Sequence, residues 1–567
     1  MREYNFKINK INLKNGDSFI PNRINVVIGP NNAGKSKFLR EIAGCFHETD
    51  EKENYILESI EFDLPTSEEV FNKSYDIENK KTKDEHGNIF LRTFFNFENF
   101  RSYLNYNINK ASFKVSFIDS RNYKYFLDCY GCLFLNYLGT ENRLTMIKRK
   151  ENITDLHFTP NFMSEIFSNS KNDKYKILEQ LANDTKRIFN KDIVLDKETE
   201  PGMLSFRTGK DFSYYNNSLR SNSEVIGELE KENILDNEGD GIKSFVSTYL
   251  SLKLDSKNIV LIDEPESFLH PPLARQLGEI IGNSATEDKQ IFVTTHSSEI
   301  LKGILSTCRD VNVMRITRKE NKNSILKLDT KSLKHIISMP RLRVSKVLDG
   351  LFCERVAITE SEADEIFYQE FLEKINPQSG VFFTHVNSKS NICSVAEIYN
   401  KLDVENYMIF DFDVIRTKED FNKILKLLPL SDKDKNMYRG IREKVKEYID
   451  NKATVRAKSQ DEKQDEKEFE KEFKKQKDII YHKEGINCIE GNDVLKNRLE
   501  EMINNLADKN VLILKNGELE TNLIDAGISY TENKNGWIEN AIDYIEKTES
   551  SELEKLNIAK LVKKMEK

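Results

Sequence analysis

No stretch of this 567-residue sequence approaches the roughly 18 uninterrupted apolar residues that a membrane-spanning helix needs, so no membrane association is expected. The opening segment, MREYNFKINKINLKNG, lacks the apolar run of a secretory signal, and the expected location is the cytoplasm. Basic charge is not in excess either. The 86 Lys and Arg against 94 Asp and Glu leave a formal net charge of −8, which excludes a global positive field for nucleic acid. A DNA site must then be a local basic patch or use metal ions as the counter-charge. Cysteine is sparse: seven residues, odd in number and scattered, argue against a disulfide framework and fit a reducing compartment. Only Cys129 and Cys132 have close metal-ligand spacing, and without a second pair nearby they read as buried thiols. Apolar residues are few at 38% and charged ones many at 32%, where globular chains average about 45–50% and about 25%. At roughly 150 residues per domain, such a chain divides into two to four.

The apolar residues that are present fall into short runs with a shared pattern. RINVVIGPNNAGKSKFLREIAGCF reads as strand, Gly-rich loop and helix, and NIVLIDEPESFLHPPLARQLGEIIG and KQIFVTTHSSEILKGI supply two further buried strands that each end in polar residues. Runs of this kind alternating with helices predict an α/β fold, a parallel sheet covered on both faces. The intervening stretch at about residues 50–230, rich in Asn, Lys, Tyr and Phe, predicts inserted antiparallel strands and helices. After Pro340 the pattern starts afresh with ERVAITESEADEIFYQEFLEKI and VENYMIFDFDVIRTKEDFNKIL. A first domain over 1–340 and a second α/β domain over 345–567 are therefore expected. The mixed-charge run at about 442–478 reads as a solvated helix or a disordered insertion.

Gly29-Pro30-Asn31-Asn32-Ala33-Gly34-Lys35-Ser36 satisfies G-x-x-x-x-G-K-[ST] in strand-loop-helix context. The glycines permit a turn whose backbone N–H groups face phosphates, the helix N-terminus favours negative charge, Lys35 reaches the terminal phosphates and Ser36 can ligate Mg²⁺. Asn31, Asn32 and Lys37 complete the candidate nucleotide contacts. Asp263 ends a buried strand, where its carboxylate can hold the Mg²⁺ shell, and Glu264 beside it can orient or deprotonate the attacking water. His296 ends the next strand, where an imidazole can meet the γ-phosphate. Together these segments resemble the ATP-binding-cassette ATPases of chromosome maintenance and recombination repair. That resemblance implies head-to-head dimers in which a Ser/Gly-rich signature closes the partner's nucleotide. The role falls on Gly239, Gly241 and Ser244 in LDNEGDGIKSFVSTYLSL, which departs from the usual LSGGQ wording, and Glu266 and His270 fall in the segment that crosses the interface.

In the second domain Glu360 ends the strand VAITE, and Asp364 lies four positions on, expected one helical turn away and on the same face. Asp411 and Asp413 end YMIFDFD, where strand alternation is expected to point both carboxylates to one side. Acids at the carboxyl ends of parallel strands converge in the crevice above the sheet, and unpaired they repel, so Mg²⁺ or Mn²⁺ is the expected cofactor. The E-x-x-x-D and D-x-D arrangement resembles the Toprim domain of topoisomerases, primases and nucleases, with Ser361 where that family usually has Gly. Lys515, Gly517 and Glu520 resemble the late K-x-G-x-L-E element of OLD-family nucleases, which implies a phosphate-facing lysine and a further metal ligand. An ATP-binding-cassette head followed by a Toprim domain resembles the OLD family (overcoming lysogenization defect), which includes nucleases of bacterial anti-phage systems. The resemblance implies an ATP-regulated, metal-dependent DNA endonuclease that assembles through its ATPase heads as a dimer or larger, with a second defence-system protein or nucleic acid as a further partner. Two other readings share these motifs: an ATP-driven sensor or scaffold with a silent Toprim domain, and a DNA-repair ATPase.

Overall fold

The computed structural model describes residues 6–46, 54–64, 89–91, 106–108, 134–152, 161–168, 173–213, 222–255, 257–319, 322–328, 346–460, 466–529 and 534–566, with Leu127, Gly131 and Tyr215. Cys129, Cys132 and the alternating segment 111–119 lie outside the described residues. The chain divides into two compact units, Met1–Thr330 and Lys331–Lys567.

The first unit is built on a six-stranded mixed sheet in the order Lys322–Leu328, Val311–Lys319, Ile24–Ile28, Gln290–Thr294, Ile259–Asp263, Leu135–Leu138. Its strands are parallel except the first pair. Every residue of Ile24–Ile28, Gln290–Thr294 and Ile259–Asp263 is buried, because helices cover both faces, and this is why these strands read as unbroken apolar runs rather than alternating ones. Their register decides the site. Thr294 lies opposite both Val27 and Asp263, so three neighbouring strands end level and their following loops meet. Helix Lys35–Gly44 presses Phe38, Leu39 and Ile42 into a core shared with the strand Lys7–Leu13, where Phe6 stacks on Phe134 at 4.4 Å. The inserted region contributes antiparallel strands, Asp192–Asp196 against Met203–Gly209, and the helix Asp173–Phe189.

The second unit holds a four-stranded, wholly parallel sheet in the order Val381–His385, Arg355–Thr359, Glu405–Phe410, Val511–Ile513. The chain leaves Arg355–Thr359 toward one edge and later returns to its other side, so the strand order reverses between Thr359 and Phe410 and a crevice opens above those two ends. One face of the sheet packs Phe367, Phe371 and Trp537.

The mixed-charge run is helical, as its composition suggested, but it is anchored rather than merely solvated. Helix Asp432–Gln460 buries Ile441, Val445, Ile449, Ala453 and Ala457, a four-residue spacing that forms one apolar stripe. Arg442, 5% exposed, donates from Nε to Ile415 O at 2.9 Å and from Nη2 to Arg416 O at 2.6 Å, tying this helix to the turn that follows Asp413. The returning helix Glu466–Ile479 ends in a π-helical turn, Ile480–Glu484, which carries His482.

Candidate functional site

The phosphate loop closes only because Gly29 has no side chain: at φ +145 a Cβ there would stand 2.2 Å from Ile316 O. Asn32 and Gly34 also adopt positive φ, the backbone twist that turns successive N–H groups inward. Asn323 Nδ2 donates to Ala33 O at 2.6 Å and braces the loop from the edge hairpin, a support that carries no sequence signature. Lys35 is 4% exposed, and its ammonium donates to Gly29 O at 2.9 Å and to Pro30 O at 2.7 Å. Burial lowers it to about 8 against the opposing pull of Glu264, Glu266 and Asp263. Ser36 Oγ donates to Asp263 Oδ1 at 2.9 Å, so the two groups expected to share a Mg²⁺ shell already touch, and Thr294 also donates to that oxygen. Asn31 and Asn32 are exposed on the loop, whereas Lys37 sets its ammonium over the ring of Tyr55, 5.3 Å from the centroid.

Glu264 takes a left-handed backbone, φ 46, a conformation costing about 1–3 kcal/mol in a non-glycine residue and typical of sites rather than of scaffolding. Its N–H donates to Thr294 O at 3.0 Å, and its carboxylate meets His296 Nε2 at 3.3 Å. The hydrogen bond from His296 holds the Glu264 carboxyl below the usual range, so it is ionised at neutral pH. Glu266 accepts from His296 N at 2.6 Å, and burial pushes its carboxyl up. What fixes the strained turn is Arg143, which no motif pointed to. Fully buried, it donates to Leu138 O at 2.8 Å, Asp263 O at 2.5 Å, Glu264 O at 2.9 Å and Ser244 Oγ at 3.0 Å. Desolvation brings its guanidinium down to about 10, which leaves it charged. Of the three signature residues, Ser244 is 0% exposed and its hydroxyl is engaged by Arg143, because the fifth residue of helix Asp240–Lys253 faces inward. Of the other two signature residues, Gly239 is exposed and Gly241 half-buried beneath Phe268 O.

In the second unit Glu360 and Asp411 follow the two strands that flank the switch, which brings them to one crevice. Two geometric expectations change. Helix Glu362–Ile375 begins after Ser361, so Glu360 and Asp364 are not one helical turn apart. Asp364 instead closes a capping box, accepting from Ser361 N at 3.0 Å while Ser361 Oγ accepts from Asp364 N at 3.2 Å. The strand stops at Phe410, and Asp411 caps a 3₁₀ turn, Phe412–Ile415, that contains Asp413; strand alternation does not set their directions. Lys389, absent from the sequence reading, lies between the acids, paired with Asp413 and 3.7 Å from Glu360 Oε2. Burial would lower its ammonium, but Asp413, Glu360 and Asp411 outweigh burial and raise it. The buried Tyr368 hydroxyl is pushed well above its ordinary value by burial, then by Asp364, Asp411 and Glu520.

The late element is no surface turn. Glu520 is 2% exposed, and Gly517, φ +98, lies so close to the His482 turn that a Cβ would stand 2.2 Å from His482 O. Hydrogen bonds Glu518 N to His482 O (2.9 Å), Ile486 N to Lys515 O (2.8 Å) and Phe412 N to Gly517 O (3.0 Å) lace this crossing to the Asp411 turn. His482 Nδ1 meets Glu518 Oε1 at 2.5 Å. At the sheet edge, Glu365 accepts from Lys346 Nζ at 2.8 Å, His385 N at 3.0 Å and His385 Nδ1 at 2.6 Å. Among the described residues no three His, Cys, Asp or Glu side chains stand together closely enough to hold a metal ion as they are. The physical reason is visible: Asp364 is turned into its cap, and Lys389 already supplies positive charge between Glu360 and Asp413. The donors nonetheless suit a hard cation, being oxygens only, with Asp413 Oδ1 buried and accepting no hydrogen bond among the described residues.

Comparison with known proteins agrees with this division. Residues 24–302 match the family described as AAA domain, AbiEii toxin, type IV TA system, and residues 351–413 match the overcoming lysogenization defect protein-like TOPRIM domain. Old nuclease of Escherichia phage P2 is 25% identical over 169 residues, 28% of this chain and 28% of that protein. Endonuclease GajA of Bacillus cereus (strain VD045) is 24% identical over 230 residues, 37% of each. The matches thus span well under half the length of these relatives. Among solved structures, an Smc head domain with an extended coiled coil, bound to the C-terminal domain of ScpA, from Pyrococcus furiosus aligns at TM-score 0.33 and 12% identity, covering 59% of this chain and 99% of that one. The cbiO1 subunit of a Clostridium perfringens ABC transporter complex aligns at 0.28 and 13%, covering 60% and 96%. The chain carries an AAA-type ATPase domain followed by an OLD-like Toprim domain, the combination that resembles the OLD-family ATPase-nucleases. No described helix is long and apolar enough to cross a membrane.

Proposed function

We propose that this protein binds and hydrolyses ATP and is a divalent-metal-dependent DNA endonuclease, acting in anti-phage defence. The observation that carries the proposal is the presence in one chain of a phosphate loop whose Ser36 already bonds Asp263 and of Glu360 and Asp411 just after the two strands that flank the switch of a separate parallel sheet. In this reading Lys35 leaves the carbonyls of Gly29 and Pro30 for the more strongly accepting phosphate oxygens. Gly29, Asn31, Asn32, Gly34 and Lys37 surround the nucleotide, and Ser36 and Asp263 hold Mg²⁺. Ionised Glu264, oriented by His296, takes a proton from the attacking water, and Arg143 keeps the backbone of Glu264 in place while it does so.

At the second site Glu360, Asp411 and Asp413, with Asp364 and Glu520, are the residues to hold Mg²⁺ or Mn²⁺, and Lys515 offsets charge on the scissile phosphate. The cation supplies Lewis-acid stabilisation of the phosphodiester oxygens. Nuclease activity is supported by the names of the two relatives, and DNA as substrate and defence as role rest on the resemblance to the OLD family. Homodimers or larger assemblies through the ATPase units belong to the same proposal, with Gly239 and Gly241 as the residues of the signature left toward a partner. The Lys389 pairing favours a second reading, an ATP-driven sensor or scaffold whose Toprim domain is silent.

A plasmid-nicking assay with Mg²⁺ or Mn²⁺, with and without ATP, separates the two. Metal-dependent nicking that disappears in Asp411→Ala/Asp413→Ala is the expected result. Absence of nicking in every lane, with ATP hydrolysis intact, would reject the nuclease.

A further inference from the structure

We propose that Lys389 is the internal counter-ion of the acidic crevice, an ammonium that stands in the place of a divalent cation and competes with it for Glu360 and Asp413. The inference deepens the nuclease reading and rests on its metal site. Four observations lead to it. Lys389 is the first residue of helix Lys389–Lys401, the helix end where a positive charge is disfavoured by the aligned peptide dipoles, so local helix energetics do not explain its placement. Its side chain is 21% exposed and that of Asp413 10%, which makes the pair a largely desolvated contact rather than a surface one. Its ammonium faces acids from two different elements, Glu360 after one strand and Asp413 in the turn after the next, where a bridging ion would also have to sit. The histidines near the crevice are engaged with other carboxylates, His385 with Glu365 and His482 with Glu518.

The physical consequence follows from charge. Glu360 and Asp413, with Asp411 beside them in sequence, carry like charge, and the two that face Lys389 need positive charge between them to stay close before any metal arrives. Lys389 provides it from a flexible stem, whereas the acids are held by strand ends and a 3₁₀ turn. A cation entering the crevice must therefore displace the ammonium. Lys389 is a positioning residue: it keeps the acids gathered without metal and sets the metal concentration at which they load.

The test is Mn²⁺ binding to the full-length chain without nucleotide, followed by the electron-paramagnetic signal of free Mn²⁺, in the wild type, Lys389→Met, Lys389→Arg and Glu360→Gln/Asp413→Asn. A unit charge about 4 Å from a divalent ion is worth a tenfold or larger change in binding even at high effective dielectric. Lys389→Met is therefore expected to bind Mn²⁺ at least about tenfold more tightly than the wild type, and Lys389→Arg to stay near the wild type. Without metal, Lys389→Met should unfold at lower urea, a deficit that saturating Mn²⁺ erases. If Lys389→Met fails to fold, Lys389→Gln serves in its place. Equal or weaker Mn²⁺ affinity in the neutral variant would overturn the role of Lys389 while leaving the metal site standing. If Glu360→Gln/Asp413→Asn removes no Mn²⁺ site that the wild type shows, the metal reading and this inference fall together.

Discussion

Gly517→Ala tests how the second unit holds its late element. In the native chain Gly517 has φ +98, and a Cβ there would lie 2.2 Å from His482 O, so the two segments must part by about 1 Å to restore van der Waals contact. The left-handed backbone alone costs an L-residue roughly 1–2 kcal/mol. Separation also strains the hydrogen bonds Glu518 N to His482 O, 2.9 Å, and Phe412 N to Gly517 O, 3.0 Å. At about 0.5–1.5 kcal/mol each, these raise the expected destabilisation to about 2–5 kcal/mol. The chain offers a selective probe. Its single tryptophan, Trp537, is 1% exposed in the core of this unit, so urea unfolding followed by indole fluorescence reports on this unit. Gly380→Ala is the matched control, since Gly380 has φ +63 and nothing within 4 Å of the added Cβ; only the backbone cost, about 1 kcal/mol, should appear. ATP hydrolysis, which belongs to the other unit, should be unaltered in both. A Gly517→Ala transition within about 0.5 kcal/mol of the wild type, or no further from it than Gly380→Ala, would refute the tight crossing.

Other predictions are shorter. Lys35→Ala should abolish nucleotide binding measured by calorimetry, because Lys35 is the buried cation of the loop. Glu264→Gln should keep that affinity yet lower ATP turnover about 10²–10⁴-fold; normal phosphate release would remove Glu264 from the water-activating role. Ser361→Ala should cost about 1 kcal/mol in the Trp537 transition through loss of the capping box, with Ser361→Gly costing only a few tenths, so Ser361 acts as a helix cap whatever the catalytic state of the domain. The Glu365 hydrogen bond raises His385 above its ordinary 6.5, which stabilises the fold fully below the unfolded value and is lost as pH rises through the folded one. His385→Gln should therefore destabilise this unit at about pH 6 and much less at about pH 9, and an equal loss at both would contradict the pairing.

Much of the architecture was legible because it rests on local chemistry. The G-x-x-x-x-G-K-S spacing specifies a loop whose glycine at 29 no other residue can replace, and a run such as IVLID is too apolar to be anything but a strand buried on both faces. The stripe of Ile441, Val445 and Ile449 was not read from the sequence, because the charged residues around it dominate the composition of the segment and suggested solvent. The details that depend on where strands end were not legible. The 3₁₀ turn after Phe410 redirects Asp411 and Asp413, and the cap at Ser361 turns Asp364 back, because each depends on a few backbone angles that residue spacing does not encode.

Still less visible were Arg143, Lys389 and His482, each far in sequence from the groups it serves and each a common residue type outside any motif. Arg143 reaches Glu264 across 121 positions, and Lys389 reaches Asp413 across 24. The sequence by itself determined the two α/β sheets and the strand ends from which nucleotide and acid chemistry would project. Only the tertiary structure decided which charges meet there, since a buried charge is placed by whichever partner the packing of distant elements brings within reach of it.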